Sequence, residues 1–113
     1  MSSCLFCEIA EGNITSAKIL ENDNFLAFRD IDPKAPVHFL VIPKKHFENI
    51  TDFANKDSEM IAKYFEFISE VSNLQELEKG HRVVFNTGAD GGQTVFHVHA
   101  HVLGGRNLQW PPG

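Results

Sequence analysis

The sequence predicts an α+β domain: an antiparallel sheet of about five strands with two helices. Two observations favour this class. Several short segments have strand-like composition and are separated by turn residues, and one long segment has apolar residues at helical spacing. The 113 residues have the length of one domain, and no repeat, low-complexity stretch or linker divides them. We therefore expect residues 1–113 to form a single domain.

The first half of the chain predicts one helix and three strands. CLFCEIAEGN has apolar residues at helical spacing and ends with Gly12, a residue type common just beyond a helix end. AKILE and FLAFRDI are separated by the turn-rich NDN and predict a hairpin. VHFLVI, residues 37–42, predicts a third strand because a proline lies on each side of it.

The second half predicts the long helix and two further strands. The helix begins near Asn55 or Asp57, since either can cap it. Its apolar residues form a single stripe: Ile61, Tyr64, Phe65, Ile68 and Val71. Residues 82–86 predict a strand, residues 87–94 a glycine-rich connection, and residues 95–103 the last strand.

Composition and charge exclude several classes of protein. A net charge of −5 argues against a nucleic-acid polymer or an acidic membrane surface as partner, although a small anion held locally stays compatible with it. The longest apolar run, residues 39–42, is far below the roughly 20 residues of a membrane span. The N-terminus lacks the basic start of a secretory signal. With Cys4 and Cys7 as the only cysteines, we expect no disulfide framework and a reducing, cytoplasmic compartment.

Half of the six histidines lie at alternate positions of one short segment, VFHVHAHVLGG, residues 95–105. Because a strand sends successive side chains to opposite faces, His97, His99 and His101 are predicted to share one face. The apolar residues between them are predicted to pack on the core. The histidine face then has three interpretations.

The first interpretation is a row of polar residues on a solvated face, a purpose that Thr, Lys or Glu would serve as well. The second is a metal chelate. His97 and His101 would lie about 13 Å apart along a straight strand, whereas zinc ligands lie about 2 Å from the ion, so all three cannot bind one ion without a bend.

The third interpretation is covalent catalysis. A neutral imidazole, with a pKa near about 6.5, is a competent nucleophile at physiological pH. Attack on phosphorus also needs donors aimed at the phosphoryl oxygens. DGGQT, residues 90–94, comes directly before the predicted strand and offers backbone N–H groups and the Thr94 hydroxyl for that purpose.

HVHAHVL, residues 97–103, resembles the signature of the histidine triad (HIT) superfamily, in which three histidines alternate with apolar residues. Three further segments are similar to the Hint branch of that superfamily, the nucleoside phosphoramidate hydrolases: DIDPKAPVHFLVIPKKH (30–46), GADGGQTVFHVHAHVLGGR (88–106) and WPPG (110–113). The resemblance covers essentially the whole chain. WPPG favours the Hint branch over the dinucleotide-hydrolase branch.

The resemblance implies a covalent mechanism. His99 corresponds to the nucleophile that attacks the α-phosphorus and forms a nucleotidyl-imidazole intermediate, which water then hydrolyses. His101 corresponds to a residue that contacts the phosphate and assists proton transfer. His38 corresponds to a further histidine that orients the triad through hydrogen bonds. No cofactor is implied for catalysis.

The resemblance also implies a set of substrate-binding residues. An apolar slot for a purine is formed by Leu5, Phe6, Ile9, Phe28 and Ile31. The phosphate-site positions, counted with their loop neighbour Gln93, are Asn86, Gly92, Gln93 and Thr94. Asp30 corresponds to a carboxylate that takes the ribose hydroxyls, and Trp110 to a residue that reaches the other subunit's site in a homodimer. The alternatives are core packing for the slot, a turn carboxylate for Asp30 and a frayed tail for Trp110.

Some positions depart from the Hint pattern. Thr94, Phe96 and Gln109 stand where Ser, Tyr and His are usual, which could alter the leaving-group preference. CLFC (4–7) is a C-x-x-C that animal Hint proteins lack. It is similar to that of other HIT members, in which two thiolates and two histidines hold a structural zinc.

In this chain the corresponding zinc ligands are Cys4, Cys7, His46 and His97. Two sulfur and two nitrogen donors form a sound tetrahedral set, which would leave the other triad histidines for chemistry. The alternative is two thiols on the first helix that bind no metal.

The sequence therefore predicts a homodimer that binds purine nucleotides, as AMP or GMP conjugates, and hydrolyses phosphoramidate or related α-phosphate bonds. The alternatives are a nucleotide-binding scaffold with little turnover, a dinucleoside polyphosphate hydrolase, and a metal-binding module built on the histidine face.

Overall fold

The structure is a computed structural model that describes residues 3–113. Its elements in chain order are α1 Leu5–Ala10, β1 Lys18–Glu21, β2 Phe25–Arg29, β3 Val37–Pro43, α2 Ile50–Lys56, α3 Ser58–Leu74, β4 His81–Val84 and β5 Ala100–Gly104. The five strands form one antiparallel sheet in the order β1-β2-β3-β5-β4, which confirms the predicted α+β class. Within residues 3–113, no helix has the length and apolar character needed to cross a membrane.

The central strands are buried on both faces of the sheet. On one face, alternate residues of β2 and β3, Phe25 and Phe39 among them, pack with α2 and α3 in the main core. On the other face, the intervening residues, such as Phe28 and Leu40, pack with Phe6 of α1 in a second, smaller core. Each helix layer therefore covers one side of the sheet, and α1 lies on the side opposite to α3.

The structure has a third helix, α2, that the sequence did not predict. It spans seven residues, begins after the N-cap Asn49 and buries one side chain, Phe53. One buried residue in two turns gives no stripe, so periodicity could not detect it. Asp57, whose φ of −153° breaks the helical path, ends α2, and its side chain caps α3 by accepting from the Met60 N–H.

The buried stripe of α3 differs from the predicted stripe at one position. Tyr64, Ile68 and Val71 are buried as predicted, but Phe65 is 46% exposed and Phe67 is buried in its place. Residues three and four apart share a helix face, whereas neighbouring residues differ by about 100°. Phe65 therefore faces away from the sheet.

The last strand begins later than predicted, at Ala100 instead of Val95. Before it, the N–H of Val98 donates to the carbonyl of Phe47 at 2.7 Å and not to β3. In the register of the ladder, Pro43 would lie opposite Val98, and a proline has no N–H with which to continue the pairing. His97 and His99 therefore precede the strand, and His101 lies within it.

Candidate active site and adjoining cysteine–histidine cluster

The three alternate histidines lie on the α1 side of the sheet. His101 is paired with Leu40, whose side chain belongs to the second core, while the apolar residues between the histidines belong to the main core. His97 is fully buried, His99 is 8% exposed and His101 is half-buried. A row of polar residues on a solvated face is therefore the wrong interpretation.

A cavity of about 400 Å³ opens beside His99, within the usual size of a small-molecule site. Eleven of the predicted residues line it: Leu5, Phe6, Ile9, Phe28, Asp30, Ile31, Asn86, Gly92, Thr94, His99 and His101. The apolar members come from α1, from β2 and from the turn after β2. The polar members come from that turn, from the connection between β4 and β5, and from β5 itself. The cavity thus has an apolar end and a polar end.

Three further residues that line the cavity were not predicted: Arg29, Leu40 and Val95. Leu40 packs in the second core between the strands, and Val95 packs against that core. Arg29 ends β2 directly before Asp30. Alternation along β2 predicts that Arg29 lies on the face opposite to Phe28, so the strand pattern could not identify it as a cavity residue.

His99 carries its lone pair on the nitrogen away from the backbone. Its Nδ1 lies 2.8 Å from the carbonyl oxygen of His97, and a carbonyl only accepts, so Nδ1–H is the donor. Nε2 is then the unprotonated nitrogen. The ring of Phe6 meets the His99 ring edge-on, with centroids 5.0 Å apart. Burial lowers the pKa of His99, partly opposed by the bond to His97, so the ring is neutral.

A second hydrogen-bond chain fixes the tautomer of His101. The backbone N–H of Lys34 donates to Nδ1 of His38 at 3.0 Å, which places the proton of His38 on Nε2. That Nε2 lies 3.0 Å from Nδ1 of His101. His38 therefore donates to His101, and the proton of His101 resides on Nε2. Like His99, the cavity-lining His101 then has a defined protonation state at each nitrogen.

Both members of this histidine pair are neutral. Burial is the main cause that lowers the pKa of His101, to about 4, and it also lowers the pKa of His38. Oδ2 of Asp30 lies 3.3 Å from Nε2 of His38 and raises its pKa, but less than burial lowers it. Since the one Nε2 proton of His38 is donated to His101, the contact between Asp30 and His38 is an electrostatic contact with a neutral ring and not an ion pair.

Asp30 combines the two interpretations offered for it. One oxygen, Oδ1, accepts from the N–H of Asp32 at 2.8 Å, as a turn carboxylate does. The residue also lines the cavity, where Oδ2 lies 3.8 Å from Nδ1 of His101. The turn thus fixes the direction in which the second oxygen points.

The side chain of Gln93 holds the glycine-rich loop. Gln93 was predicted to bind substrate, but it does not line the cavity. Its Oε1 accepts from the Gly88 N–H at 3.0 Å, and its Nε2 donates to the carbonyls of Glu48 at 2.7 Å and Val95 at 3.1 Å. The amide is buried and engaged with backbone groups at both ends. Gln93 supports the loop that presents its neighbour Thr94 to the cavity.

The backbone of this loop differs from the predicted anion cradle. The N–H groups of Gly92 and Gln93 donate to the carbonyls of Ala89 and Gly88, both at 3.0 Å. Gly92 has a φ of +78°, which favours glycine. Those two donors are used inside the loop, whereas Thr94 lines the cavity and is a candidate donor to a phosphate.

Trp110 does not line the cavity of its own chain. It is 78% exposed, and the guanidinium carbon of Arg82 lies 5.8 Å from the centre of its indole ring. Its contact with the site of a second subunit stays a prediction.

The second cluster comprises the four predicted metal ligands, whose donor atoms all lie within 4.8 Å of one another. Nδ1 of His97 lies 3.3 Å from Sγ of Cys4, 3.4 Å from Sγ of Cys7 and 3.2 Å from Nδ1 of His46. Nε2 of His97 lies 2.8 Å from the carbonyl of Pro43 and donates to it, so Nδ1 carries the lone pair. Two sulfur and two nitrogen atoms converging at these distances fit a tetrahedral zinc ion.

Helix α1 belongs to both clusters. Cys4 is its N-cap and accepts from the N–H of Cys7 at 3.3 Å, while Leu5, Phe6 and Ile9 line the cavity. The six residues of α1 thus place metal-ligand candidates and slot residues on adjoining positions.

A small antiparallel α+β domain with three alternate histidines at the start of its last strand defines the histidine triad class. The chain belongs to the HIT family, since residues 11–108 match the HIT domain. An uncharacterized HIT-like protein of Synechococcus elongatus is 41% identical over 109 residues, 96% of each chain.

Solved structures agree with this assignment. A HIT family hydrolase from Legionella pneumophila Philadelphia 1 has a TM-score of 0.94 at 48% identity, covering 98% of this chain and 100% of that one. A histidine triad protein from Clostridium difficile has a TM-score of 0.90 at 40% identity, covering 96% of each.

Proposed function

We propose that this protein hydrolyses purine nucleoside phosphoramidates, or related α-phosphate bonds, through a covalent intermediate on His99. The observation that carries the proposal is the unprotonated Nε2 of a neutral His99 beside a cavity with one apolar and one polar end. Membership of the HIT family and the likeness to a hydrolase from Legionella pneumophila support it. The segments similar to the Hint branch favour the phosphoramidate over other leaving groups.

Substrate binding uses the two ends of the cavity. The purine enters the apolar slot, where Phe6 and Phe28 stand edge-to-face with ring centres 5.7 Å apart. Asp30 takes the ribose hydroxyls, and Asn86 and Thr94 donate to the phosphate. Binding an anionic phosphate raises the pKa of His101, because a nearby negative charge favours the imidazolium. Substrate therefore brings a proton to Nδ1 of His101. His38 then no longer donates to that atom, and Oδ2 of Asp30, 3.3 Å from Nε2 of His38 and 3.8 Å from Nδ1 of His101, accepts from both rings and compensates the new charge.

The first chemical step forms a phosphorus–nitrogen bond to His99. Nε2 of His99 attacks the α-phosphorus, and the bond to the leaving nitrogen breaks with its electron pair on that nitrogen. The leaving amine takes the Nε2 proton of His101, which returns to the neutral form. His99 is now a nucleotidyl-imidazolium, whose Nδ1–H remains bonded to the carbonyl of His97.

The second step returns the enzyme to its starting state. Water attacks the same phosphorus, and neutral His101 accepts a proton from it. The bond between phosphorus and His99 breaks, and His99 leaves as neutral imidazole. The products are an amine and a nucleoside monophosphate. His101 ends this step with the extra proton that substrate binding brought, and it loses that proton to solvent when the phosphate leaves.

We propose that Cys4, Cys7, His46 and His97 hold a structural zinc ion. The donor set and its spacing support zinc, which when bound would stabilise the fold and anchor α1. No catalytic step uses it. A reducing, cytoplasmic compartment would keep both cysteines reduced and available as ligands. We also propose a homodimer, in which the exposed Trp110 serves the site of the second subunit.

The test is steady-state hydrolysis of adenosine 5′-phosphoramidate by wild type, His99→Ala and the control His81→Ala. His81 is exposed and lies outside the cavity. We expect His99→Ala to lower kcat by at least about 10³-fold and the control to match wild type. Rapid quenching should trap an adenylylated protein with wild type and with the control, but not with His99→Ala. Equal rates for wild type and His99→Ala would remove the catalytic assignment, and a preference for dinucleoside polyphosphates would replace the substrate.

A further inference from the structure

A buried tyrosine hydroxyl bonds two backbone groups of the sheet next to His99. Tyr64 of α3 is fully buried, and its hydroxyl donates to the carbonyl of Val41 at 2.6 Å. The same oxygen accepts from the N–H of Ala100 at 3.1 Å. Burial raises the pKa of this hydroxyl well above its usual value, so it remains protonated and able to donate.

The two backbone groups that Tyr64 joins belong to paired residues. Val41 of β3 and Ala100 of β5 are partners in the antiparallel register. In a hydrogen-bonded antiparallel pair, such an N–H and carbonyl bond each other directly. Here the Tyr64 hydroxyl bonds both of these groups, and Ala100 is the first residue of β5. The two bonds therefore coincide with the point where the chain enters the sheet.

The nitrogen of Ala100 is also part of the peptide bond that follows His99. Tyr64 reaches it from the main core, whereas the His99 ring lies on the α1 side of the sheet. Tyr64 therefore does not line the cavity, and it can affect His99 only through the backbone.

We propose that Tyr64 is a positioning residue, whose hydroxyl holds the peptide between His99 and Ala100 in the place that directs the His99 ring into the cavity. The expected effect on kcat rests on the proposed function, in which His99 is the nucleophile. Covalent attack requires the nucleophile close to its in-line position, and a misplacement of about 1 Å can cost about 10²-fold in rate.

The test substitutes Tyr64→Phe, which removes the hydroxyl and keeps the ring. Ser72→Ala is the matched control, because Ser72 is another buried hydroxyl of α3, and it donates to the Ile68 carbonyl of its own helix at 2.8 Å. For both variants we would measure kcat, the Kd for AMP and the thermal midpoint.

We expect Tyr64→Phe to lower kcat by about 10-fold or more, while the Kd for AMP changes by less than about 2-fold, because the slot lies on α1 and β2. Ser72→Ala should lose thermal stability and keep kcat. A Tyr64→Phe variant that is less stable but has wild-type kcat would overturn the inference. Wild type that fails to hydrolyse the phosphoramidate would instead overturn the proposed function.

Should Tyr64→Phe not fold, the unmutated fold offers a second measurement. The chain has one tyrosine, so biosynthetic 3-fluorotyrosine places a single ¹⁹F label at position 64. We expect its resonance to shift as AMP saturates the cavity, because the ligand contacts His99. A resonance unmoved at saturating AMP would overturn the positioning role without reference to turnover.

Discussion

Nε2 of His38 lies 3.0 Å from Nδ1 of His101, and this contact determines which nitrogen of His101 carries the proton. His38 can donate because its own Nδ1 accepts from the Lys34 backbone. A backbone N–H, a histidine on β3 and a histidine on β5 thus form one directed chain of hydrogen bonds.

The first prediction concerns this chain of hydrogen bonds. His38→Ala should lower kcat by about 10²-fold, because His101 loses the donor that fixes its tautomer, and assistance by a positioned acid or base contributes about 10²- to 10⁴-fold. The Kd for AMP should change little, since His38 does not line the cavity. Steady-state kinetics and AMP titration measure both quantities. An unchanged kcat would show that His101 keeps its orientation without His38.

The second prediction concerns stability and pH. Burial lowers the pKa of His101 from 6.5 to about 4 in the folded state. Between these values the unfolded chain binds a proton at this site and the native chain does not, so the free energy of unfolding rises with pH across that window and falls on acidification.

Urea unfolding of wild type and His101→Gln at pH 7 and pH 4.5 isolates this contribution. Wild type should lose more free energy of unfolding than the variant, by up to about 3 kcal/mol. Equal losses in the two proteins would mean that His101 is protonated as readily in the native state as in the unfolded state.

The third prediction concerns the cysteine–histidine cluster. Metal analysis of purified wild type should find about one zinc per chain, and Cys7→Ser should lower that content at least about 10-fold. Glu11→Gln, at an exposed position directly after α1, is the control and should retain the metal. The Kd for AMP should rise in Cys7→Ser, because α1 carries the slot. Metal-free wild type, or full zinc in Cys7→Ser, would contradict the assignment.

The fourth prediction concerns Gln93. Gln93→Met keeps the volume but leaves three backbone groups without their partner, and a buried unsatisfied group costs about 1–3 kcal/mol. We expect a lower unfolding free energy and a lower kcat/KM, because the loop also carries Thr94. Thr94→Ser keeps the hydroxyl and should retain the unfolding free energy and the kcat/KM of wild type. Denaturant unfolding and kinetics check the pair. A fully stable Gln93→Met protein would show that these bonds are replaced by water.

Local pattern was sufficient for the α+β class because the strands and α3 have strong periodicity. It failed where one contact from a distant element decides the outcome. The early end of the β3–β5 pairing depends on Pro43 and on the hydroxyl of Tyr64, which is 36 residues from Ala100 in sequence. Nothing within residues 95–103 reveals either. Gln93 was likewise predicted to bind substrate because of its position in the glycine-rich loop. Its side chain instead bonds the carbonyl of Glu48, 45 residues away in sequence.

The four metal-ligand candidates were predicted as a group, and the structure brings them together, although they are far apart in sequence. Cys4 and His97 are 93 residues apart, yet their donor atoms lie 3.3 Å from each other. Periodicity cannot predict such a distance, and only the family resemblance joined the two ends of the chain. The sulfur–nitrogen composition of the set then indicated its chemistry.

The shared turn of α1 limits how this protein can be altered. Leu5 and Phe6 lie between Cys4 and Cys7, so a change of backbone that would admit a bulkier base also displaces a thiolate. If the proposed function holds, a substitution on this segment would change both the selectivity for the base and the affinity for zinc. Phe28 and Ile31 lie outside it, and they are the positions from which a new base preference could be engineered independently.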